Sequence, residues 1–182
     1  ISGIIKQLPK SNGVGEDKVP YKIFRDAPER TIQWLVDCCN SILQSGDWSS
    51  VWKLALIRLL PKANGGYRPI SLLCCVSKIL ERVVYRRLKQ FGFDSNIFLG
   101  QFAASGGFEK AMDSLLQYVE SQLPNHVYVV YFDVKKAFDR VVRLRLLSQL
   151  VHHGFPSYLV RVVSPFLLNR RYLITGSSSS YE

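Results

Sequence analysis

Residues 127–133 read Val-Tyr-Val-Val-Tyr-Phe-Asp, a run with no charge until Asp133 closes it. Such a density of β-branched and aromatic residues favours a strand, and apolar residues on both faces suit a strand covered on both sides. That requirement constrains the fold more than any other segment, because layers must exist to cover it. A buried strand is also a rigid arm, and a carboxylate at its tip is held in place. Metal-dependent chemistry can use an acid fixed in this way, although strands also end in Asp simply to begin a turn. Lys135, Lys136 and then Phe138 and Asp139 follow at once.

The 182 residues suffice for one domain or a piece of a larger protein, and 47% hydrophobic content excludes a disordered chain. Lys and Arg number 24 against 14 Asp and Glu, a net charge of +10. This excess points to a polyanionic partner, nucleic acid first and an acidic membrane surface second. The cysteines fall in two adjacent pairs, Cys38-Cys39 and Cys74-Cys75, in apolar segments. Adjacent cysteines lack zinc-site spacing, so they read as reduced core thiols of a reducing compartment. No apolar run reaches the ~18 residues of a membrane span, and the first residues are not a signal peptide. The expectation is a soluble intracellular protein of the nucleus and/or cytoplasm, with no membrane and no stable protein partner.

Residues 1–27, broken by Pro9, Gly13, Gly15 and Pro20, read as an irregular lead-in. Pro28-Glu29 opens a helix whose apolar stripe is Ile32, Leu35, Val36, Cys39, Ile42 and Leu43, with Gly46 as its stop. Trp52 to Leu60 reads as a strand, residues 61–66 as a Gly-containing loop, and Tyr67 to Leu72 as the return strand of a hairpin. Pro69 cannot donate to a ladder, which puts the return strand at an edge or keeps it short.

A helix from Val76 carries Ile79, Leu80, Val83, Val84 and Leu88 on its apolar stripe and Lys78, Arg82, Arg86, Arg87 and Lys89 on a basic flank. The flank is either a solvated face or a surface for a nucleic-acid backbone. A third helix sets Ala111, Met112, Leu115, Leu116 and Val119 on a stripe expected in the core. After the Asp133 strand, a helix through Leu144, Leu147 and Leu150 ends at Gly154, another covers Ser157 to Leu168, and a polar tail follows Arg171. Helices alternating with a hairpin and a buried strand make a layered α+β or α/β fold.

Two segments can carry chemistry. Lys62 and Arg68 flank the Gly65-Gly66 tip and could close on a compact polyanion such as a triphosphate, Arg as a fork and Lys as a point charge. The alternative is an exposed basic loop. Asp133 suits a ligand of a two-metal phosphoryl-transfer site. Asp139 reads first as a cap or turn residue, and Phe138 could either wall a nucleotide sugar or fill a core.

In this order and spacing, Asp47-Trp48, Trp52-Lys53-Leu54-Ala55, Leu60-Pro61-Lys62, Tyr67-Arg68-Pro69-Ile70-Ser71-Leu72-Leu73, Ser77-Lys78-Ile79-Leu80-Glu81, Phe132-Asp133, Ala137-Phe138-Asp139 and Phe166-Leu167-Leu168-Asn169-Arg170-Arg171 resemble the reverse transcriptases of non-LTR (LINE-type) retrotransposons. The resemblance runs from about Gly15 to Arg171. Group II intron maturases share the architecture, but the sequence details lie nearer the LINE type.

The resemblance implies an α+β right-hand polymerase, with residues 28–125 as a fingers-like region and 126–182 as the first, incomplete part of the palm. It implies Asp133 as a catalytic ligand of Mg²⁺, with the Val134 carbonyl beside it. Lys62 and Arg68 would hold the incoming deoxynucleoside triphosphate, and Phe138 would act as a steric gate against a ribose 2′-hydroxyl. RNA template and DNA primer would be the partners, with Arg82, Arg86, Arg87 and Lys89 as nucleic-acid contacts.

The sequence also departs from the family. Residues 103–107 read Ala-Ala-Ser-Gly-Gly where the family carries a basic template contact, and the chain ends before the Pro-Gln-Gly loop and the aromatic-x-Asp-Asp hairpin. It therefore reads as a fragment inactive by itself. The alternative is a non-catalytic RNA-binding remnant of a mobile element.

Overall fold

The computed structural model describes residues 2–8, 13–97, 101–102 and 107–175. Among these, seven α-helices and three strands form a mixed α/β fold around one helical core. The helices are α1 (Ser2–Lys6), α2 (Tyr21–Arg25), α3 (Glu29–Ser45), α4 (Cys75–Asp94), α5 (Gly107–Ser121), α6 (Arg143–His152) and α7 (Ser157–Leu167). The strands are β1 (Leu54–Pro61), β2 (Tyr67–Leu72) and β3 (Arg171–Thr175).

Local signals set α3 as expected. Pro28 leads into its first turn, and the Pro28 carbonyl accepts from Thr31 N at 2.9 Å. Gly46 ends it at φ +84°, a left-handed conformation open to glycine, with its N–H donating to Ile42 O at 2.8 Å. The apolar faces of α3, α4 and α7 meet, burying Leu35, Cys39, Ile79, Leu80, Leu159 and Val162 almost completely. Trp48 joins them through an indole N–H donated to Val162 O at 2.9 Å and a ring 4.5 Å from that of Phe166. All four cysteines are free thiols, and Cys39, Cys74 and Cys75 are buried, as expected of core residues.

The sheet order is β2-β1-β3. β1 and β2 form the expected antiparallel hairpin, and β2, which contains Pro69, lies at the edge. The Trp52–Leu60 strand is shorter at its start, because residues 50–53 make a 3₁₀ turn that buries Lys53, whose ammonium donates to Pro165 O at 3.1 Å. β3 was not expected. It pairs parallel to β1, Leu54 opposite Arg171, across more than a hundred residues of intervening chain.

Three further expectations are corrected. Residues 1–27 are not an irregular lead-in throughout: α1 buries Ile4 and Ile5 in the core, Leu8 just beyond it is buried too, and α2 buries Tyr21 and Phe24. Each helix is too short for a period to show, and packing on neighbouring helices stabilises it where isolated propensity would not. The α5 stripe is no core, since none of its residues is buried and Leu116 is 52% exposed. An amphipathic stripe states that a cover is needed, and no described element packs along this one closely enough to bury it.

Finally, residues 126–134 form neither strand nor helix and pair with no strand among the described residues, and Tyr128 and Phe132 are 91% and 92% exposed. The sequence expectation of a buried strand fails because a strand needs a neighbour for its N–H and C=O groups. The one described sheet is built elsewhere. Residues 103–106 and the Ser177–Ser180 tail lie outside the described residues. No helix among the described residues is long and apolar enough to cross a membrane.

Candidate functional site

The β1–β2 hairpin carries the clearest concentration of unpaired charge. Its tip closes with Lys62 N donating to Gly66 O at 3.0 Å and Gly65 N to Lys62 O at 3.2 Å. Gly65 and Gly66 both adopt positive φ, 82° and 79°, which explains the glycine pair. In the ladder Leu60 faces Arg68 and Arg58 faces Ile70. Strand alternation therefore sets Arg58, Leu60 and Lys62 on the same face as Arg68, with Arg68 diagonal to both other cations. Diagonal neighbours stand roughly 7–8 Å apart, within reach of long side chains. All three cations are exposed, and no carboxylate among the described residues is bonded to them. Three like charges on one hairpin face repel each other until an anion joins them.

Arg58 is the member that the sequence reading did not single out. Its signal was present: Arg58, Leu60 and Lys62 alternate at the period of two that defines a strand face.

Asp133 is exposed on the unpaired segment and makes no hydrogen bond among the described residues. Val134 is 62% exposed. A tight turn follows, with Lys136 at φ 55° and a 3₁₀ turn over Phe138–Arg140 closed by Arg140 N to Lys136 O at 3.2 Å. Asp139 sits within that turn, and Phe138 is 94% exposed, neither in a core nor against another described residue. No group of three His, Cys, Asp or Glu that could hold a metal ion occurs among the described residues. Asp133 with the Val134 carbonyl therefore does not make up a complete two-ion donor set here. The structure sets Lys62 and Arg68 together; it does not gather Asp133 with other carboxylates.

The basic flank of α4 divides by what it touches. Arg82 Nη1 donates to Gln7 O at 3.3 Å and Arg86 Nη2 to Gln7 Oε1, so these two arginines tie α1 to α4. Lys78 donates to Gly13 O at 3.0 Å and lies 5.6 Å from the Tyr21 ring centre. Arg87 reaches across to α7, donating to Tyr158 Oη at 3.4 Å. Lys89 stays on its own helix, 5.3 Å from the Phe93 ring centre and 5.9 Å from that of Tyr85.

Buried titratable groups lie apart from both segments. Burial pushes the Cys39 and Cys75 thiols up to about 11, and Cys75 Sγ donates to Val19 O at 2.9 Å. Thiols held protonated in this way are poor nucleophiles and poor metal ligands. Burial also raises the Glu81 carboxyl, with Arg170 and Lys78 opposing, while Arg170 is itself lowered by burial against the opposing Glu81. Arg170 stacks 4.3 Å from the Phe166 ring centre and donates to Phe166 O at 3.2 Å.

Residues 60–181 match the family model described as reverse transcriptase (RNA-dependent DNA polymerase). The chain is 29% identical over 195 residues to the RNA-directed DNA polymerase from mobile element jockey of Drosophila melanogaster, covering 100% of this chain and 21% of that protein. It is 30% identical over 186 residues to the probable RNA-directed DNA polymerase from transposon BS of the same organism, covering 96% and 20%. A third relative, the retrovirus-related Pol polyprotein from type-1 retrotransposable element R1 of Bradysia coprophila, is 33% identical over 159 residues, covering 82% and 16%. The chain spans about a fifth of the length of the curated relatives it matches.

Proposed function

The chain belongs to the reverse transcriptase (RNA-dependent DNA polymerase) family, and we propose that it is the fingers and first palm portion of such an enzyme from a non-LTR retrotransposon. The observation that carries the reading is the β1–β2 hairpin, whose tip and return strand lie within the matched span and which carries Lys62 and Arg68 on one face. In this reading the two cations hold the triphosphate of an incoming deoxynucleotide, Arg68 as a fork and Lys62 as a point charge. Residues 28–125 serve as fingers and 126–182 as the beginning of the palm of a right-hand polymerase.

Asp133 and the Val134 carbonyl supply hard oxygen donors of the kind Mg²⁺ prefers, to be completed by carboxylates that the described residues do not gather. Phe138 walls the sugar and disfavours a 2′-hydroxyl. RNA template and DNA primer are the partners, and the site of action is intracellular, in nucleus and/or cytoplasm. In the complete protein the primer 3′-oxygen bonds to the α-phosphorus, the bond from that phosphorus to the bridging oxygen breaks, and pyrophosphate leaves.

Calorimetric titration of the 182-residue chain with a deoxynucleoside triphosphate tests the reading. Removing a charge-assisted contact costs roughly 1.5–3 kcal/mol, so Lys62→Ala and Arg68→Ala should each weaken binding about tenfold or more. Unchanged affinity in both variants would sink the assignment. Primer extension on an RNA template should give no product with this chain alone.

Asp133 standing without partner carboxylates among the described residues favours a second reading, a non-catalytic RNA-binding remnant of a mobile element. It requires salt-dependent RNA binding that weakens in the same two variants, with no affinity for the triphosphate.

A further inference from the structure

α3, α4 and α7 converge on a cleft of about 440 Å³ lined by Asn40, Leu43, Gln44, Arg87, Tyr158 and Arg161. One liquid water occupies roughly 30 Å³, so the cleft takes a group far larger than a bridging water. Its lining is two guanidinium groups, two carboxamides, a phenol and one aliphatic side chain, with no carboxylate. Among the described residues neither arginine is paired with an acid. The carboxylate of α3 closest in sequence to the cleft, Asp37, lies nearly a turn before Asn40 and accepts from Gln33 Nε2 at 2.9 Å.

The Arg87 guanidinium and the stem of Arg161 are each in contact with a neighbouring element. The Arg87 guanidinium donates to Tyr158 Oη and lies 5.7 Å from that ring centre, which leaves the phenol proton free to donate outward. Arg161 sits where α7 passes Gly46, so close that a Cβ on Gly46 would be 2.7 Å from Arg161 O and 2.9 Å from Arg161 Cγ. The stem of Arg161 thus rests against the end of α3. Two guanidinium groups without an acid partner suit phosphate, and the contact of Arg87 with Tyr158 reduces the ordering that binding requires.

We propose that this cleft is a phosphate-binding site for the backbone of a single-stranded nucleic acid, separate from the β1–β2 hairpin. The proposal rests on the reading that the chain handles RNA and extends it to a surface made by α3, α4 and α7. Arg87 and Arg161 grip one or two phosphates, with Asn40, Gln44 and Tyr158 as neutral donors. Contacts of this kind position a strand without reading its bases.

The test is fluorescence anisotropy of a short labelled single-stranded RNA titrated with the full 182-residue chain across a range of KCl concentrations. Each phosphate contact on a single strand contributes about 0.7 to the salt slope, so Arg87→Gln with Arg161→Gln should lower it by about 1.4. Asn40→Lys, at an exposed position, should tighten binding and steepen the slope by about 0.7, a gain that misfolding cannot produce.

If the parent binds RNA and these variants leave the slope unchanged while Lys62→Gln with Arg68→Gln lowers it, the cleft assignment is wrong and the polymerase reading stands. If the cleft variants respond as stated while the hairpin variants leave triphosphate binding unchanged, the cleft is supported and the hairpin assignment fails. Inorganic phosphate is the control for a free-phosphate site. Arginine Nε–Hε NMR signals of Arg87 and Arg161 that shift with phosphate but not with RNA overturn the proposal, as does a parent chain that fails to bind RNA.

Discussion

Gly15 lies against the backbone at Cys74: a Cβ on Gly15 would stand 2.5 Å from Cys74 N and 2.7 Å from both Cys74 Cα and the Leu73 carbonyl carbon. All three obstacles are main-chain atoms at the entry to α4, so no side chain can rotate away. Gly15 thereby fastens the segment between α1 and α2 to the N-terminus of the longest described helix.

Gly15→Ala should destabilise the fold by about 3 kcal/mol, the upper end of overpacking costs. Gly13→Ala, with nothing within 4 Å of its added Cβ, should stay within about 1 kcal/mol of the parent. Urea unfolding followed by far-UV circular dichroism distinguishes them. Equal midpoints for the two variants would show that the contact at Cys74 does not constrain the fold.

Ser77, on the first turn of α4, is fully buried, and its Oγ finds no hydrogen-bond partner among the described residues. A buried hydroxyl without a partner carries an uncompensated desolvation cost, so Ser77→Ala should raise stability by about 1 kcal/mol. Loss of stability in the same unfolding experiment would mean that the hydroxyl is satisfied after all.

The parts of this fold that the sequence makes legible are those set by neighbouring residues. Gly46 stops α3 and Gly65-Gly66 turns the hairpin because each needs a positive φ, a requirement one residue type meets. The edge position of Pro69 follows from its missing N–H. What stayed hidden depends on distant partners. β3 exists because Leu54 finds Arg171, and Lys53 can be buried because Pro165 offers a carbonyl. The apolar residues of 127–133 and the α5 stripe state a need for cover, which hydrophobicity reveals, but not what supplies it. The hairpin cations were visible as Lys62 and Arg68; the period-two spacing of Arg58 and Lys62 sets those two on one face, and the ladder register adds that Arg68 shares it.

Glu81 is held partly buried near Arg170, and burial raises its carboxyl above the ordinary value of 4.5 despite the opposing Arg170 and Lys78 charges. The folded chain therefore keeps this proton to higher pH than the unfolded chain does. Stability from this site is lost as pH rises through the window from 4.5 to the raised value. Glu81→Gln, which cannot ionise, should be more stable than the parent at neutral pH and should show no such advantage below 4.5. Unfolding free energies at both pH values check this; an advantage independent of pH would point to packing instead.

The cysteines give a reactivity order. Cys39 and Cys75, pushed up to about 11 by burial, hold almost no thiolate at neutral pH. Cys38 is only partly buried, with a smaller rise from burial and the nearby Asp37. Timed iodoacetamide labelling with peptide mass mapping should modify Cys38 first and leave Cys39 and Cys75 until denaturant is added. Rapid labelling of Cys75 in the native chain would contradict its burial against Val19.

Residues 127–134 present a strand-forming apolar surface that the described sheet does not pair. Tyr128, Val130, Tyr131 and Phe132 are 91%, 69%, 77% and 92% exposed. Unpaired N–H and C=O groups beside such side chains template pairing with another copy, and the run contains no proline, and no charge before Asp133, to oppose it. The chain should self-associate as its concentration rises, despite a net charge of +10. A charge placed in the middle of the strand should suppress this without touching the core, since exposed substitutions usually change stability by less than about 0.5 kcal/mol. Val130→Lys is therefore expected to shift the sedimentation-velocity profile toward monomer while leaving the unfolding midpoint unchanged. A parent that is monomeric at every concentration would show that this segment is protected in solution, and a variant that associates as strongly as the parent would place the contact elsewhere.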